Sequence, residues 1–589
     1  MKGTRLVIGL DYGTTYTGLS FCETSGDTDL KNELIEIVHD WPSAHSKIAT
    51  KEKVPSEVTY QPEGLVWGSL IPPNVQRHIW TKLELENHPN GEAAKQDTKS
   101  SSSIVLYKPP VDIIADFLGQ VKAHLIGVLD RKYGENLWRT LPVTLVVTMP
   151  AVWSDGAKAR TRQAVDKAGF NVAQFPQLTH IINATEPESA AIYTIRTLRN
   201  TAHDTQFATG DGFILCDLGG GTADLISYKV ARLSPTVVEE ITVGSGDQCG
   251  GTFVDRAFLQ WLERRLGTED FVKIAGCRSE QIPRTMLSNK AARMLQNFTL
   301  EVKGGFSGTE SYTLQLPSPL SAIEDDEVRG IEDGEIRITS NDLISMFEMP
   351  IRRTYELLTK QLKEARKAKK VHVKYVFLVG GFSESAYMYR KIKEWAEDNG
   401  LKALRPSYAW SAVARGAVAK GLEGDTQVVA ARKNRRHYGT VSSKIFISGI
   451  HRETEAAICP YTGVKRAHSQ MNWLLKQGQT LPTSGPAHAK ISMSTLFWLT
   501  QERTSTLRLE ASNRARAPKR SVDAGVYRVA KATVDLSKVP EKAFLKKMSP
   551  IGRPYVQLNY EIELFVQSSL EMYLSVDGKR YGELTAAFD

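Results

Sequence analysis

Cysteine is scarce in this 589-residue sequence. There are five, Cys22, Cys216, Cys249, Cys277 and Cys459, far apart and with no C-x-x-C pair. That pattern argues against a disulfide framework or a cysteine zinc site and fits reduced thiols in a cytosolic or nuclear protein. Long hydrophobic runs are also missing: no stretch approaches the roughly 20 apolar residues that cross a bilayer. After the basic residues of Met1–Arg5, the run Leu6–Leu10 ends at Asp11, too short for the core of a signal peptide. A cytoplasmic location, with the nucleus as the alternative, is therefore expected, without a transmembrane segment. No G-x-x-x-x-G-K-[ST] run occurs, which excludes a P-loop.

What is present is a chain too long for one ordinary core, so at least two domains are expected. Its 41% hydrophobic and 24% charged residues are values of a soluble globular protein. The net charge of +9 is uneven: from Thr426 onward there are 25 Lys+Arg against 13 Asp+Glu, with clusters at Arg432–Arg436 and Arg514–Arg520. Such a field attracts nucleic acid, anionic lipid or acidic protein. The clusters lack interleaved aromatics, so a solvated surface is the favoured reading.

Short apolar runs end in glycine turns and alternate with helical patterns, the signature of α/β layers. Leu6–Leu10, Thr144–Thr148, Phe213–Leu218 and Tyr375–Val379 read as buried strands, and Leu225–Val230 as the return strand of a hairpin. Asp155–Ala168 reads as a helix stopped by Gly169, and Tyr387–Asp398 as another. A longer helix is expected from an N-cap at Asn341 to about Lys369, kinked at Pro350. Lys95–Ser103 and the acidic Glu324–Glu335 read as loops. Beyond about Gly424 helical periodicity becomes rare. Lys444–Ile447, Val526–Val534, Tyr555–Phe565 and Met572–Val576 read as strands of a separate β-rich domain.

Two turns carry the chemistry. Asp11-Tyr12-Gly13-Thr14-Thr15 follows one strand, and Asp217-Leu218-Gly219-Gly220-Gly221-Thr222-Ala223-Asp224 follows another, their aspartates 206 residues apart. Both have the form Asp-x-Gly with Thr close behind, which points to two similar halves facing across a cleft. Glycines let backbone N–H groups approach phosphate oxygens, and threonine hydroxyls add donors. The aspartates suit a divalent cation, Mg²⁺ with its waters, between themselves and the phosphates. A third element, Val376 to Val379 followed by Gly380-Gly381-Phe382, fits a backbone lying flat against an adenosine.

The order of these elements resembles the actin, sugar-kinase and heat-shock chaperone superfamily, and the details resemble the seventy-kilodalton heat-shock chaperones. The resemblance is carried by Val7–Tyr16, Met149-Pro150-Ala151-Val152-Trp153, Thr185-Glu186-Pro187-Glu188-Ser189-Ala190-Ala191, Gly246–Asp255 and Ala412–Ala417, and it extends from about Leu6 to Gly421. It implies an α/β, actin-like (ribonuclease H-like) two-lobed ATPase domain over residues 1–425, with lobe I about 1–205 and lobe II about 206–425. A smaller β-rich domain, 426–589, would be a divergent counterpart of the substrate-binding domain. ATP or ADP with Mg²⁺ would be the ligand.

By that resemblance Gly13, Thr14, Thr15, Tyr16, Gly219, Gly220, Gly221 and Thr222 line the phosphates, and Asp11 and Asp217 hold the Mg²⁺ hydration shell. Glu186 and Asp224 orient the attacking water, and Lys82 is the lysine near the γ-phosphate. Gly250-Gly251 and Gly380-Gly381 flank ribose and base, and Arg293 stacks on adenine. Partners would be an unfolded or specific protein client, with co-chaperones or a nucleotide exchange factor.

The departures are informative. Phe382, Glu384 and Glu188 are similar to the heat shock 70 kDa protein 12-like branch. Asn289 and Ala292 replace a family Glu and Lys, which weakens the adenine grip. The acidic-leucine linker is absent, no helical lid follows, and only Met471–Pro482 faintly resembles the start of the peptide-binding sandwich. A chaperone-like ATPase is the reading these features favour. A nucleotide-sensing module with little hydrolysis and a small-molecule, sugar-type kinase are the alternatives.

Overall fold

The computed structural model describes residues 4–25, 35–43, 51–86, 108–151, 153–199, 208–233, 237–368, 371–423, 429–483, 489–566 and 570–585. The expected Lys95–Ser103 loop, the helix end at Lys369, the linker residues 424–428 and the boundaries at 205–206 and 425–426 lie outside the described residues. The chain forms two compact units: residues 1–153 with 160–428, and residues 154–159 with 429–589.

The first unit contains two sheets of one design. In the first, the strand order is Glu36–Ile37, Tyr16–Ser25, Thr4–Tyr12, Val143–Met149, Leu178–Thr185. The order in the second is Val237–Glu240, Ala223–Arg232, Asp211–Leu218, His372–Val379, Lys402–Leu404. Each begins with an antiparallel hairpin, Thr4–Tyr12 with Tyr16–Ser25 and Asp211–Leu218 with Ala223–Arg232. Each then adds two parallel strands. The expected pair of similar halves is thus visible as a repeated topology. The central strands read as continuous apolar runs because both faces are covered: Leu6, Val7, Ile8 and Leu10 are buried, as are Phe213, Ile214 and Leu215.

The helix after the last strand of each sheet returns toward the middle of the unit. Glu186–Arg199 and Ala412–Leu422 pack together so closely that a Cβ on Gly416 would lie 1.9 Å from the Ser189 carbonyl oxygen. Ala412–Leu422 also covers the first sheet, with Ser20 Oγ donating to the Ala414 carbonyl at 2.6 Å. Small residues along it (Ala412, Ala414, Gly416, Ala417, Ala419) make this approach possible.

Two expectations need correction. The long helix is Ser340–Arg366, and its N-cap is Thr339, not Asn341. Thr339 Oγ1 accepts from the Asp342 amide at 3.2 Å while the Asp342 carboxylate accepts from the Thr339 amide at 2.9 Å, a capping box that draws Asn341 into the first turn. Within Glu324–Glu335, Ile331–Glu332 is a strand paired with Glu335–Ile338, which also pairs with Tyr312–Gln315. The left-handed residues Gly330, Asp333 and Gly334 turn the chain there and hide two-residue strands from a composition reading.

Over 429–483, 489–566 and 570–585 the second unit contains strands, turns and short 3₁₀ turns, with no α-helix among these described residues. One sheet orders Ala456–Ile458, Lys465–Leu475, His437–Ile445, Thr504–Ser512 and Val526–Asp535. Another orders Ala489–Trp498, Pro554–Val566, Leu570–Val576 and Lys579–Thr585, with Phe544–Met548 also on Pro554–Val566. Their inward residues share a core that includes Leu475, Phe497, Leu507, Leu509, Val534, Val556, Leu558, Ile562 and Leu574.

Candidate active site

Both Asp-x-Gly motifs are hairpin turns, one between Tyr12 and Thr17, the other between Leu218 and Ala223. The two turns meet: a Cβ on Gly220 would lie 2.6 Å from Thr15 Oγ1, and one on Gly221 3.7 Å from Thr14 Cγ2. The carbonyls of Gly219, Gly220 and Gly221 accept from the amides of Gly251, Thr252 and Gly250 at 3.1, 2.8 and 3.2 Å. Gly250 must be glycine, since a Cβ there would sit 2.5 Å from the Gly220 oxygen. Gly380, at φ +85°, brings the third glycine element to the same place, and a Cβ on it would lie 2.3 Å from Asp217 Oδ1.

Around these turns stand the expected carboxylates. Asp11 ends the first strand, and its Oδ1 accepts from Thr148 Oγ1 at 3.0 Å. Glu186 begins its helix and is ion-paired with Lys82, whose ammonium also lies 5.5 Å from the centre of the Trp153 ring. Lys82 is buried; its short helix Thr81–Glu84 is anchored by a 2.8 Å bond between Tyr12 and Thr81 hydroxyls. Asp224 accepts from Thr222 Oγ1 at 2.9 Å. Glu186, Asp217 and Asp224 line a cavity of about 20 Å³ together with Pro150, Ala151 and Pro187. That is room for one water molecule.

The electrostatics follow from crowding carboxylates in a dry place. Burial, with Glu186 and Asp224 nearby, pushes Asp217 up to about 7. Burial also raises Glu186, against the pull of Lys82, and raises Asp224 against its Thr222 bond and Lys82.

Two site candidates sit differently from the rest. Arg293 is exposed on the helix Asn289–Asn297. The residues of that segment that line the neighbouring cleft cavity of about 480 Å³ are Ala292, Leu295, Gln296, Thr299 and Leu300, together with Thr14, Thr15 and Tyr16 of the first turn. Phe382 is buried, 6.0 Å ring to ring from Phe347 and 5.8 Å from Lys303 Nζ. It packs behind Gly251, whose Cβ would lie 3.3 Å from its ring. Glu384 accepts from the Trp410 amide at 3.3 Å.

Two residues at the site escaped the sequence reading. Lys53 Nζ donates to Asp11 Oδ2 at 2.7 Å. Within Lys51-Glu52-Lys53 it reads as surface charge; the following Val54-Pro55-Ser56 is the only hint that the chain turns inward. Ser56, also unanticipated, donates to the Gly13 carbonyl at 2.8 Å and pins the first turn.

The carboxylate oxygens gathered here suit a hard divalent cation. No group of three or more His, Cys, Asp or Glu close enough to hold a metal ion occurs among the described residues. Glycine turns too tight for a Cβ are the matching surface for phosphate oxygens.

Two sheets of repeated topology, joined by a helix pair and meeting at paired glycine turns, define the actin-like two-lobed ATPase class. Within it, the family model described as Hsp70 protein matches residues 84–430, and the chain belongs to the Hsp70 family. It is similar to human Heat shock 70 kDa protein 12B, at 23% identity over 76% of this chain and 72% of that protein. Mouse Heat shock 70 kDa protein 12A matches at 22% over 76% and 73%. A Chaperone protein HscA homolog of Paracidovorax citrulli matches at 24% over 68% and 56%. These relatives agree with the divergent branch expected from Phe382, Glu384 and Glu188. Membership brings the chain into a class of ATP-binding, chaperone-type proteins.

Proposed function

We propose that this protein is a slow Mg²⁺-dependent ATPase that couples closure of its cleft to binding of a protein partner. The observation that carries the reading is the water-sized cavity bounded by Glu186, Asp217 and Asp224, with Lys82 paired to Glu186 beside it. ATP would lie with its phosphates on the Gly13–Tyr16 and Gly219–Thr222 turns and its adenosine between Gly250-Gly251 and Gly380-Gly381. Asp11 and Asp217 would hold Mg²⁺ through its waters. That cation supplies neutralisation of the phosphate charge. Glu186, raised by burial, is suited to accept a proton from a water in the cavity, and Asp224 to orient it. Lys82 would balance charge building on the transferred phosphoryl group.

The protein partner fits the second unit. Ala456–Ile458 is an edge strand of its sheet and its Ile458 is exposed, as are Ile445, Ile447 and Ile450 on the chain leading to it. An extended apolar segment could add to it by main-chain pairing.

The test is ATP hydrolysis by the purified full chain with Mg²⁺, beside Asp11→Asn, Glu186→Ala and Asp217→Asn. Hydrolysis lost in the variants, with nucleotide still bound by Glu186→Ala, supports the reading. Binding without hydrolysis in the wild type replaces it with a nucleotide-sensing module, the second reading. Phosphate found on a sugar acceptor would instead make the protein a kinase.

A further inference from the structure

The pair Lys53–Asp11 is not needed to position a hydrolytic water, yet it is among the most buried ion pairs of the molecule, with side chains 9% and 5% exposed. Its place is built. Val54–Pro55 pairs antiparallel with Thr17 and Tyr16, and the Ser56 amide donates to the Thr15 carbonyl at 2.9 Å. The Lys53 stem crosses Gly18, where a Cβ would lie 3.2 Å from its Cε. The chain is thus fastened to the first phosphate turn immediately after the lysine. With Thr148 on Oδ1 and Lys53 on Oδ2, both oxygens of Asp11 are engaged by the protein's own donors.

Four carboxylates, Asp11, Glu186, Asp217 and Asp224, converge where a nucleotide's phosphates would bring still more negative charge. Two buried ammoniums, Lys53 and Lys82, stand among them. Lys82 is committed to Glu186 on the side of the water cavity. On the other side Lys53 already neutralises the Asp11 carboxylate that a hydrated cation would otherwise have to neutralise. A lysine is a compact point charge on a flexible stem, able to turn toward a phosphate oxygen without leaving its seat.

We infer that Lys53 is a resident cation for nucleotide polyphosphate, so that this chain binds nucleoside di- and triphosphates with only weak dependence on a divalent metal. The inference rests on the nucleotide-site reading above and deepens it. Mg²⁺ would then be required for hydrolysis far more than for binding. The same lysine would set the specificity of the site for polyphosphates over monophosphates, because its seat lies beside the first phosphate turn.

The experiment is calorimetric ADP binding to the full chain, at fixed pH, in chelator and across free Mg²⁺ into the millimolar range. The wild type is expected to lose less than roughly tenfold in affinity on chelation. Lys53→Gln should lose roughly a hundredfold or more in chelator and recover most of it at saturating Mg²⁺. Removing one partner of a buried pair leaves the other unpaired and endangers folding. The double variant Lys53→Gln/Asp11→Asn avoids this and should show the same metal-free loss. A wild type that loses ADP on chelation as steeply as the Gln variants overturns the inference while leaving the nucleotide site intact. Absence of ADP binding even at saturating Mg²⁺ overturns both.

Discussion

Arg284 of the second lobe lies with its guanidinium 4.2 Å from the centre of the Trp80 ring of the first. Two backbone bonds flank this contact, from Arg77 to Thr285 at 3.2 Å and from Leu287 to Pro73 at 3.0 Å, so the lobes are clasped across the cavity they share. Cation–π contacts between half-buried groups such as these are worth about 1 kcal/mol. Trp80→Ala is therefore expected to speed nucleotide release several-fold, read by stopped-flow displacement of a fluorescent ADP. Hydrolysis of bound ATP in single turnover should change much less.

Lys82→Ala and Glu186→Ala should each lower single-turnover hydrolysis by roughly a hundredfold or more, as for loss of a positioned acid–base group or charge stabiliser. Because the two residues form one ion pair, the double variant should cost little beyond either single change. Additive losses would show that they act separately.

Gly380 and Gly400 share left-handed backbones, at φ +85° and +73°, but a Cβ meets the Leu218 carbonyl oxygen at 2.5 Å in the first and open space in the second. Alanine at 400 should cost about 1 kcal/mol, the backbone penalty alone. Alanine at 380 should cost at least about 2 kcal/mol more and abolish ADP binding. Denaturant midpoints of the two variants give the comparison directly.

Asp217 makes the nucleotide-free protein sensitive to pH. Its folded value of about 7 lies above the roughly 3.9 of an unfolded aspartate. The folded chain therefore holds this proton more tightly. Its contribution to stability is complete below the unfolded value and is lost as pH rises toward and through about 7. Asp217→Asn should melt higher than wild type at pH 8 by roughly 2–5 °C, with the difference shrinking toward pH 4. Thermal melts in chelator test this. A variant less stable than wild type at pH 8 would overturn it.

In the second unit, Ile458→Lys should weaken capture of an extended apolar peptide by roughly tenfold or more, through loss of apolar contact at the sheet edge. Basal ATP hydrolysis should be unaltered. Fluorescence anisotropy of a labelled peptide, beside a hydrolysis assay, separates the two.

Where a residue's role follows from its immediate chain neighbours, the sequence was enough. Leu6–Leu10 and Phe213–Leu218 announced buried strands because both faces of each are covered, and the Asp-x-Gly turns announced their own geometry because only glycine permits it. Asp11 and Asp217 were legible for the same reason, each standing at the head of a glycine turn, whereas Glu186 and Asp224 were named only through the resemblance to the heat-shock chaperones. The strand Lys465–Leu475 was not legible. Its sequence is polar and does not alternate, and it is a strand because Ala456–Ile458 and His437–Ile445 pair with it on either side. Lys53 was hidden by the same kind of cause. By composition it is one of three charges in a row, and by hydrogen bonding its neighbour Ser56 belongs to a turn some forty residues earlier in the chain. The local chain determined the buried strands of the first unit, the glycine turns and the two aspartates that head them. The tertiary structure alone decided which charges meet there, because an ion pair between residues 11 and 53, or 82 and 186, depends on closing a long loop that no local pattern encodes.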